Sequence, residues 1–317
     1  MDACGGFLKP TNVTACVLTD VYRPVSLQAC FSRRAFSPSA FYADMLCLNR
    51  KYACRHGYQF IVASAPHLDL VDADRSILSR ADRQQLTGLC NGPGFANVSG
   101  SSSRLGSPYS LRSKTWCKVR QLQLLLARAQ AGACDVIVWM DADALLKPSA
   151  PGALLSLRIV QAWLHSASVL AVPREPPGVN GFKSGSRNNW NNTAVTTGFM
   201  LLKGDERSRY MTSKILKSWW VAVEPTLQLK GSLGEPLWIY RSEWAHEQRV
   251  LDDYVRPRWK GNRTLGIQPL VTLIGTYFPY PCFNTPDGRV VAHYWFKDND
   301  ANRYKPFATA SNPIGIC

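Results

Sequence analysis

An α/β fold with a largely parallel sheet flanked by helices is predicted, on three observations. Short apolar runs that read as strands alternate with stretches of helical periodicity along most of the 317 residues. One of those runs, Val136-Ile137-Val138-Trp139-Met140, is apolar throughout, as a strand covered on both faces must be. Two carboxylates, Asp141 and Asp143, follow it at once, where open α/β sheets place their ligands, outside the carboxyl ends of the strands.

The elements follow in order. Residues 12–19, rich in Val, Thr and Leu, read as a first strand. Residues 41–56 carry Met45, Leu46, Leu48 and Tyr52 at helical spacing, and Gly57 is the stop. Residues 58–62 form the next strand. Residues 69–109 read as an irregular, flexible insertion, because 91–107 is rich in Gly and Ser. Residues 113–131 predict an amphipathic helix with Val119, Leu122, Leu125, Leu126 and Ala129 on one face, ended by Gly132. The apolar strand from Val136 comes next. A short helix is expected over 156–166, a strand over 168–172 and a polar loop over 173–192. Residues 194–203 read as a strand interrupted by Gly198. Helices are expected over 208–223 and 243–254, and strands over 268–274 and 290–295. Neither an internal repeat nor a clear break is visible, so residues 1–317 are expected to form a single domain.

Hydrophobic content of 46% with 19% charged residues excludes wholesale disorder. No apolar run approaches 18 residues, so no transmembrane helix is expected. The charge is 37 − 22 = +15. Nucleic-acid binding is not expected despite that value: the basic residues are scattered, with Arg33-Arg34, Arg50-Lys51 and Arg256-Pro257-Arg258 the densest spots. An anionic substrate or a membrane surface would also tolerate this balance.

Ten cysteines are many for a cytosolic enzyme, and no Cys-x-x-Cys pair supports a structural zinc site. Sequons stand at Asn12, Asn97, Asn191 and Asn262. Together these favour an oxidising secretory lumen with some cysteines paired. Cys117 and Cys134 flank apolar segments, a setting that also suits buried thiols. The N-terminus does not read as a signal peptide, so targeting and any membrane association would come from a segment outside this chain; a cytoplasmic location is the alternative.

In an extended chain, residues i and i+2 point the same way, so Asp141 and Asp143 are expected to face one spot. Paired hard oxygen ligands suit Mg²⁺ or Mn²⁺, and such an ion can bridge to a diphosphate. A second Asp-x-Asp, at Asp72 and Asp74, follows no apolar strand and reads as solvated surface.

Further places share a recognisable order with this pair. They are Asn49-Arg-Lys-Tyr-Ala-Cys-Arg-His-Gly-Tyr58, Trp116-Cys-Lys118, Trp139-Met-Asp-Ala-Asp-Ala144, Thr197-Gly198-Phe-Met-Leu-Leu, Glu247-Gln248, and His293 with Lys297. Their order resembles glycosyltransferase family 34, in islands from Asn49 to Lys297. In place of the family's usual residues, Thr196 stands before Thr197-Gly198, and Glu247 stands where an aspartate is usual. His293 to Lys297 is one residue shorter than in the plant members.

The resemblance implies a GT-A, Rossmann-like fold, Mn²⁺ with Mg²⁺ as a possible substitute, and a nucleotide-diphosphate sugar donor. It also implies an α-linkage formed with retention, on a glycan or glycoprotein acceptor. Carried over by position, Asp141, Asp143 and His293 would hold the metal. Asp141, Lys118, Lys297, Thr197, Gly198 and Trp295 would meet the donor, the lysines at its phosphates. Gln248 and Glu247 would lie near the anomeric carbon or the acceptor. Trp190 is expected to pack rather than stack on sugar. Two alternatives stay open: another GT-A transferase acting on hydroxyproline-rich protein, and a catalytically silent sugar-nucleotide or glycan-binding module.

Overall fold

The computed structural model describes residues 13–20, 41–63, 78–91, 94–95, 108, 110–128, 133–147, 153–173, 195–231, 234–242, 246–259, 271–273, 283, 288 and 290–293. Among these, the strands are β1 (Ala15–Asp20), β2 (Gln59–Val62), β3 (Val136–Asp141), β4 (Ala144–Leu146), β5 (Leu170–Val172), β6 (Phe199–Lys203), β7 (Val271–Leu273) and β8 (Val291–His293). The helices are α1 (Phe41–Arg55), α2 (Arg80–Gly88), α3 (Cys117–Arg128), α4 (Arg158–Leu164), α5 (Glu206–Val221) and α6 (His246–Val250). The last continues through a π-helical turn, Leu251–Val255, into Arg256–Arg258.

The fold class is α/β, as the sequence predicts. Six strands form one sheet in the order β2-β1-β3-β6-β5-β7. β1 pairs in parallel with both β2 and β3, and β5 with β7. β6 runs against both of its neighbours, β3 and β5. The chain leaves β1 for β2 on one side and returns to β3 on the other. This reversal opens a crevice between the carboxyl ends of β1 and β3, where Asp20 and Asp141 stand in register.

Helices cover both faces of the sheet, which is why its strands are apolar without interruption. Along β3, Val136, Val138 and Met140 pack with residues of α1 and α4. Ile137 and Trp139 point the other way, into a core built by α2, α3, α5 and α6. Burying each such side chain is worth about 1.5–3 kcal/mol. A one-residue slip of β3 would exchange the two faces, so its register is strongly held.

α1 ends at Gly57, whose φ of +70° is the left-handed turn-off that glycine supplies without strain. Just beyond it, the Tyr58 hydroxyl accepts from the Leu155 N–H, while the Tyr52 hydroxyl accepts from that of Leu154. Burial pushes the Tyr58 phenol up to about 12 and raises Tyr52 as well. Both therefore stay neutral and serve as clamps between α1, β2 and the segment before α4.

Two expectations need correction here. Part of the segment read as irregular, 69–109, is helical. α2 is capped by Ser79, whose Oγ accepts from the Asp82 N–H at 3.1 Å, and it buries Leu86. Its apolar residues are too sparse to register as a periodic face. Cys117 and Cys134 are not thiols: Cys90 is bonded to Cys117 and Cys16 to Cys134. Their Cα separations of 5.6 and 5.4 Å suit a disulfide. Cys47 and Cys54 are disulfide-bonded too. The four sequon asparagines, the second Asp-x-Asp, Trp190, Trp295 and Lys297 lie outside the described residues.

Candidate functional site

β3 ends at Asp141, whose N–H makes the last ladder hydrogen bond, to the Gly198 carbonyl at 2.8 Å. Ala142 and Asp143 then form a turn, and β4 begins at Ala144. The two carboxylates therefore do not converge through strand alternation, as the sequence reading assumed; the turn brings Asp143 round. β4 pairs antiparallel with β8 in a separate two-stranded sheet, with Ala144 opposite His293. That register lays the imidazole beside the turn. His293 Nε2 lies 3.2 Å from Asp143 Oδ1 across 150 residues of sequence.

Asn49 holds β4 in place. Its amide donates to the Ala144 carbonyl and accepts from the Leu146 N–H, both at 2.8 Å. A buried side-chain amide on α1 thus stands in for a neighbouring strand.

Asp141, Asp143 and His293 bring one ligand atom each within 4.8 Å of one another. The carboxylates are about one-third and one-quarter exposed, at 32% and 26%, while His293 is buried. Burial alone would raise the Asp143 carboxyl, but the charge and hydrogen bond of His293 outweigh it and hold Asp143 below its ordinary value. Two hard oxygens and an imidazole fit Mn²⁺, and Mg²⁺ less well, since nitrogen suits the transition metal. Gly198 makes the cradle. A Cβ there would sit 2.1 Å from His293 Cε1 and 2.6 Å from Nε2. The space on the Cβ side of this glycine is taken by the imidazole.

Behind this trio lies a buried polar array. Lys118, on the first turn of α3, is 2% exposed. Its Nζ meets Asp141 Oδ1 at 2.9 Å, Glu247 Oε1 at 3.0 Å and Thr197 Oγ1 at 3.3 Å. An ammonium has three donors, and these are spent inside the protein. Lys118, expected at the donor phosphates, here turns its N–H groups to Asp141, Glu247 and Thr197. Burial disfavours its charge, but Asp141 and then Glu247 more than restore it and raise its pKa. Glu247 is also buried; burial would raise its carboxyl, yet Lys118 holds it low. It accepts a further bond from Thr197 Oγ1 at 2.8 Å. Trp139 adds an indole N–H to Asp141 Oδ1 at 2.8 Å.

Gln248 is only half-buried, and its Oε1 accepts from the Thr197 N–H at 3.2 Å. Thr196 caps the Gly198 N–H at 3.3 Å. Just before Glu247, His246 adopts φ +46°, a left-handed conformation that is uncommon outside glycine. Burial keeps its imidazole pKa below the ordinary value. Of the residues singled out from sequence, the structure brings Asp141, Asp143, His293 and Gly198 together, and sets Lys118, Thr197, Glu247 and Gln248 beside them.

The sequence reading missed Trp139 and His246 as neighbours of the site and gave Asn49 no role of its own. A signal existed for Trp139: it is two residues before Asp141 on a strand, and so on the same face. A second cluster, Asp20 with Cys90 and Cys117, is buried. Its sulfurs are committed to a disulfide, and Gln121 Nε2 donates to Asp20 Oδ2 at 2.7 Å.

Among solved structures, the chain is similar to a glycosyltransferase involved in glycosylation of the major capsid of PBCV-1. Identity is 12% over 93% of this chain and 99% of that one, with a TM-score of 0.46. It is also similar to the galactosyltransferase LgtC in complex with donor and acceptor sugar analogs, at 13% identity over 95% and 97% of the two chains, TM-score 0.39. A third is the apo bifunctional glycosyltransferase WbbM, at 11% identity over 92% of this chain and 48% of that one, TM-score 0.39. No protein-family model and no curated protein matches the chain.

Proposed function

We propose that this protein is a metal-dependent retaining glycosyltransferase. It moves a hexose or pentose from a nucleotide-diphosphate sugar, with UDP-galactose or UDP-xylose as first choices, to a hydroxyl of a glycan or glycoprotein. The observation that carries the reading is the meeting of Asp141, Asp143 and His293 at the ligand-binding edge of an α/β sheet. Two partly exposed carboxylates and an imidazole from a distant strand are a donor set for a divalent cation, and one that a diphosphate could complete. Mn²⁺ held there would offset the negative charge that grows on the departing diphosphate.

The protein's own groups do the rest by orientation. Asp141 is held from behind by Lys118 and Trp139. The Thr197 N–H fixes Gln248 through its Oε1, which leaves the amide NH₂ to meet the sugar or the acceptor. In the transfer, the bond from the anomeric carbon to the phosphate oxygen breaks. A new bond forms to the acceptor oxygen on the same face, and the acceptor's proton passes to the leaving phosphate. The disulfides favour placement in a secretory lumen, the Golgi first.

The test is release of nucleotide from a panel of nucleotide sugars, with Mn²⁺ and then with chelator. Mn²⁺-dependent release from one donor is expected, and Asp143→Ala is expected to abolish it while leaving the thermal midpoint near wild type. Folded protein that neither turns over nor binds any nucleotide with Mn²⁺ would favour a silent module.

A further inference from the structure

Each of three fully buried tryptophans, Trp116, Trp139 and Trp219, finds an acceptor for its indole N–H, as buried indoles usually do. Trp116 donates to the Tyr240 carbonyl and Trp219 to the Glu247 carbonyl, both at 2.8 Å, the usual backbone solution. Trp139 alone of the three donates to a carboxylate, Asp141 Oδ1, and that carboxylate belongs to the candidate cation site. The same oxygen takes Lys118 Nζ at 2.9 Å. Charge-assisted bonds of this kind are the strong ones. Two donors on one oxygen orient the carboxylate and leave Oδ2, which has no hydrogen-bond partner among the described residues, as the atom for a cation.

A lysine beside a cation site should weaken it. Here Glu247, at 3.0 Å from Nζ, cancels that charge. Asp141 therefore keeps its full negative charge for a cation. The indole is neutral and adds orientation without adding charge.

Resting on the metal-dependent reading above, we infer that Trp139 is a positioning residue for the cation site, presetting Asp141 to bind through Oδ2, with the Lys118–Glu247 pair as a charge-neutral second support. Groups that hydrogen-bond a ligating carboxylate tune affinity for the ion, and losing one typically costs about 10–100-fold.

The experiment is a Mn²⁺ titration followed by electron paramagnetic resonance on wild type, Trp139→Phe and Asp143→Asn, with thermal melts of each protein in chelator. Trp139→Phe keeps a buried ring and removes the N–H. It is expected to bind Mn²⁺ about ten-fold more weakly in protein that still melts cooperatively. If Trp139→Phe does not fold, benzothienylalanine at position 139 keeps the shape of indole and replaces only the N–H, and the same weakening is expected. Affinity within two-fold of wild type, in either variant, overturns the inference, because packing alone would move the melt and not the titration. Wild type that binds Mn²⁺ no better than Asp143→Asn would overturn the metal reading itself, and this inference with it.

Discussion

Single residues decide whether the site closes. Gly198 is the clearest case, because the space a Cβ would occupy already holds the His293 ring. Gly198→Ala must push that imidazole off Asp143. His293 sits on a buried strand with little room to retreat. The variant should lose about ten-fold or more in Mn²⁺ affinity, as expected when a ligand is displaced. It should also lose about 1–3 kcal/mol of stability from overpacking. Metal titration and urea unfolding on the same preparation check both. The resemblance singled out Gly198, but its packing against His293 was not visible in the sequence. Nothing local says that a histidine 95 positions later will occupy the space beside it.

At the scale of elements, α1 carries a testable strain. Asp44 Oδ2 is buried with no hydrogen-bond partner among the described residues, and burial pushes the carboxyl up to about 6 from 3.8. The folded state therefore holds its proton more tightly than the unfolded chain does. No cost is felt below about pH 4, where both states are protonated. The cost grows as pH rises through the interval and is complete above about pH 6. Asp44→Asn should raise the melting temperature at pH 7.5 and leave it nearly unchanged at pH 4. An equal shift at both values would show that titration is not the cause. α1, α3, β1, β2 and β3 were legible because apolar periodicity is local. α2 was not, since its few apolar residues work through tertiary contact. The two carboxylates were found through a premise about extended chain that the turn at Ala142–Asp143 replaces.

For the molecule as a whole, two disulfides tie the sheet and α3 to distant segments. Cys16–Cys134 spans 118 residues and Cys90–Cys117 spans 27. Chain-entropy arguments assign them about 5 and about 3.5 kcal/mol, as upper values for closing loops of that length. Paired serine substitutions, Cys16→Ser with Cys134→Ser and Cys90→Ser with Cys117→Ser, should each lower the urea midpoint under non-reducing conditions. A reductant should do the same to wild type, and a midpoint unmoved by any of these would show that the bonds do not support the fold. The α/β class, the order of most strands and helices, and the pair Asp141 and Asp143 could be read without the structure. Those features follow from the periodicity of apolar residues and from chemistry placed at a strand end, both of which act over a few residues. The resemblance named His293 beside that pair, but its contact with Asp143, the locking of Lys118 between Asp141 and Glu247, and the pairing of the cysteines emerged only from the fold. Each of these depends on strand register and helix packing between segments far apart in the chain, which no local pattern encodes.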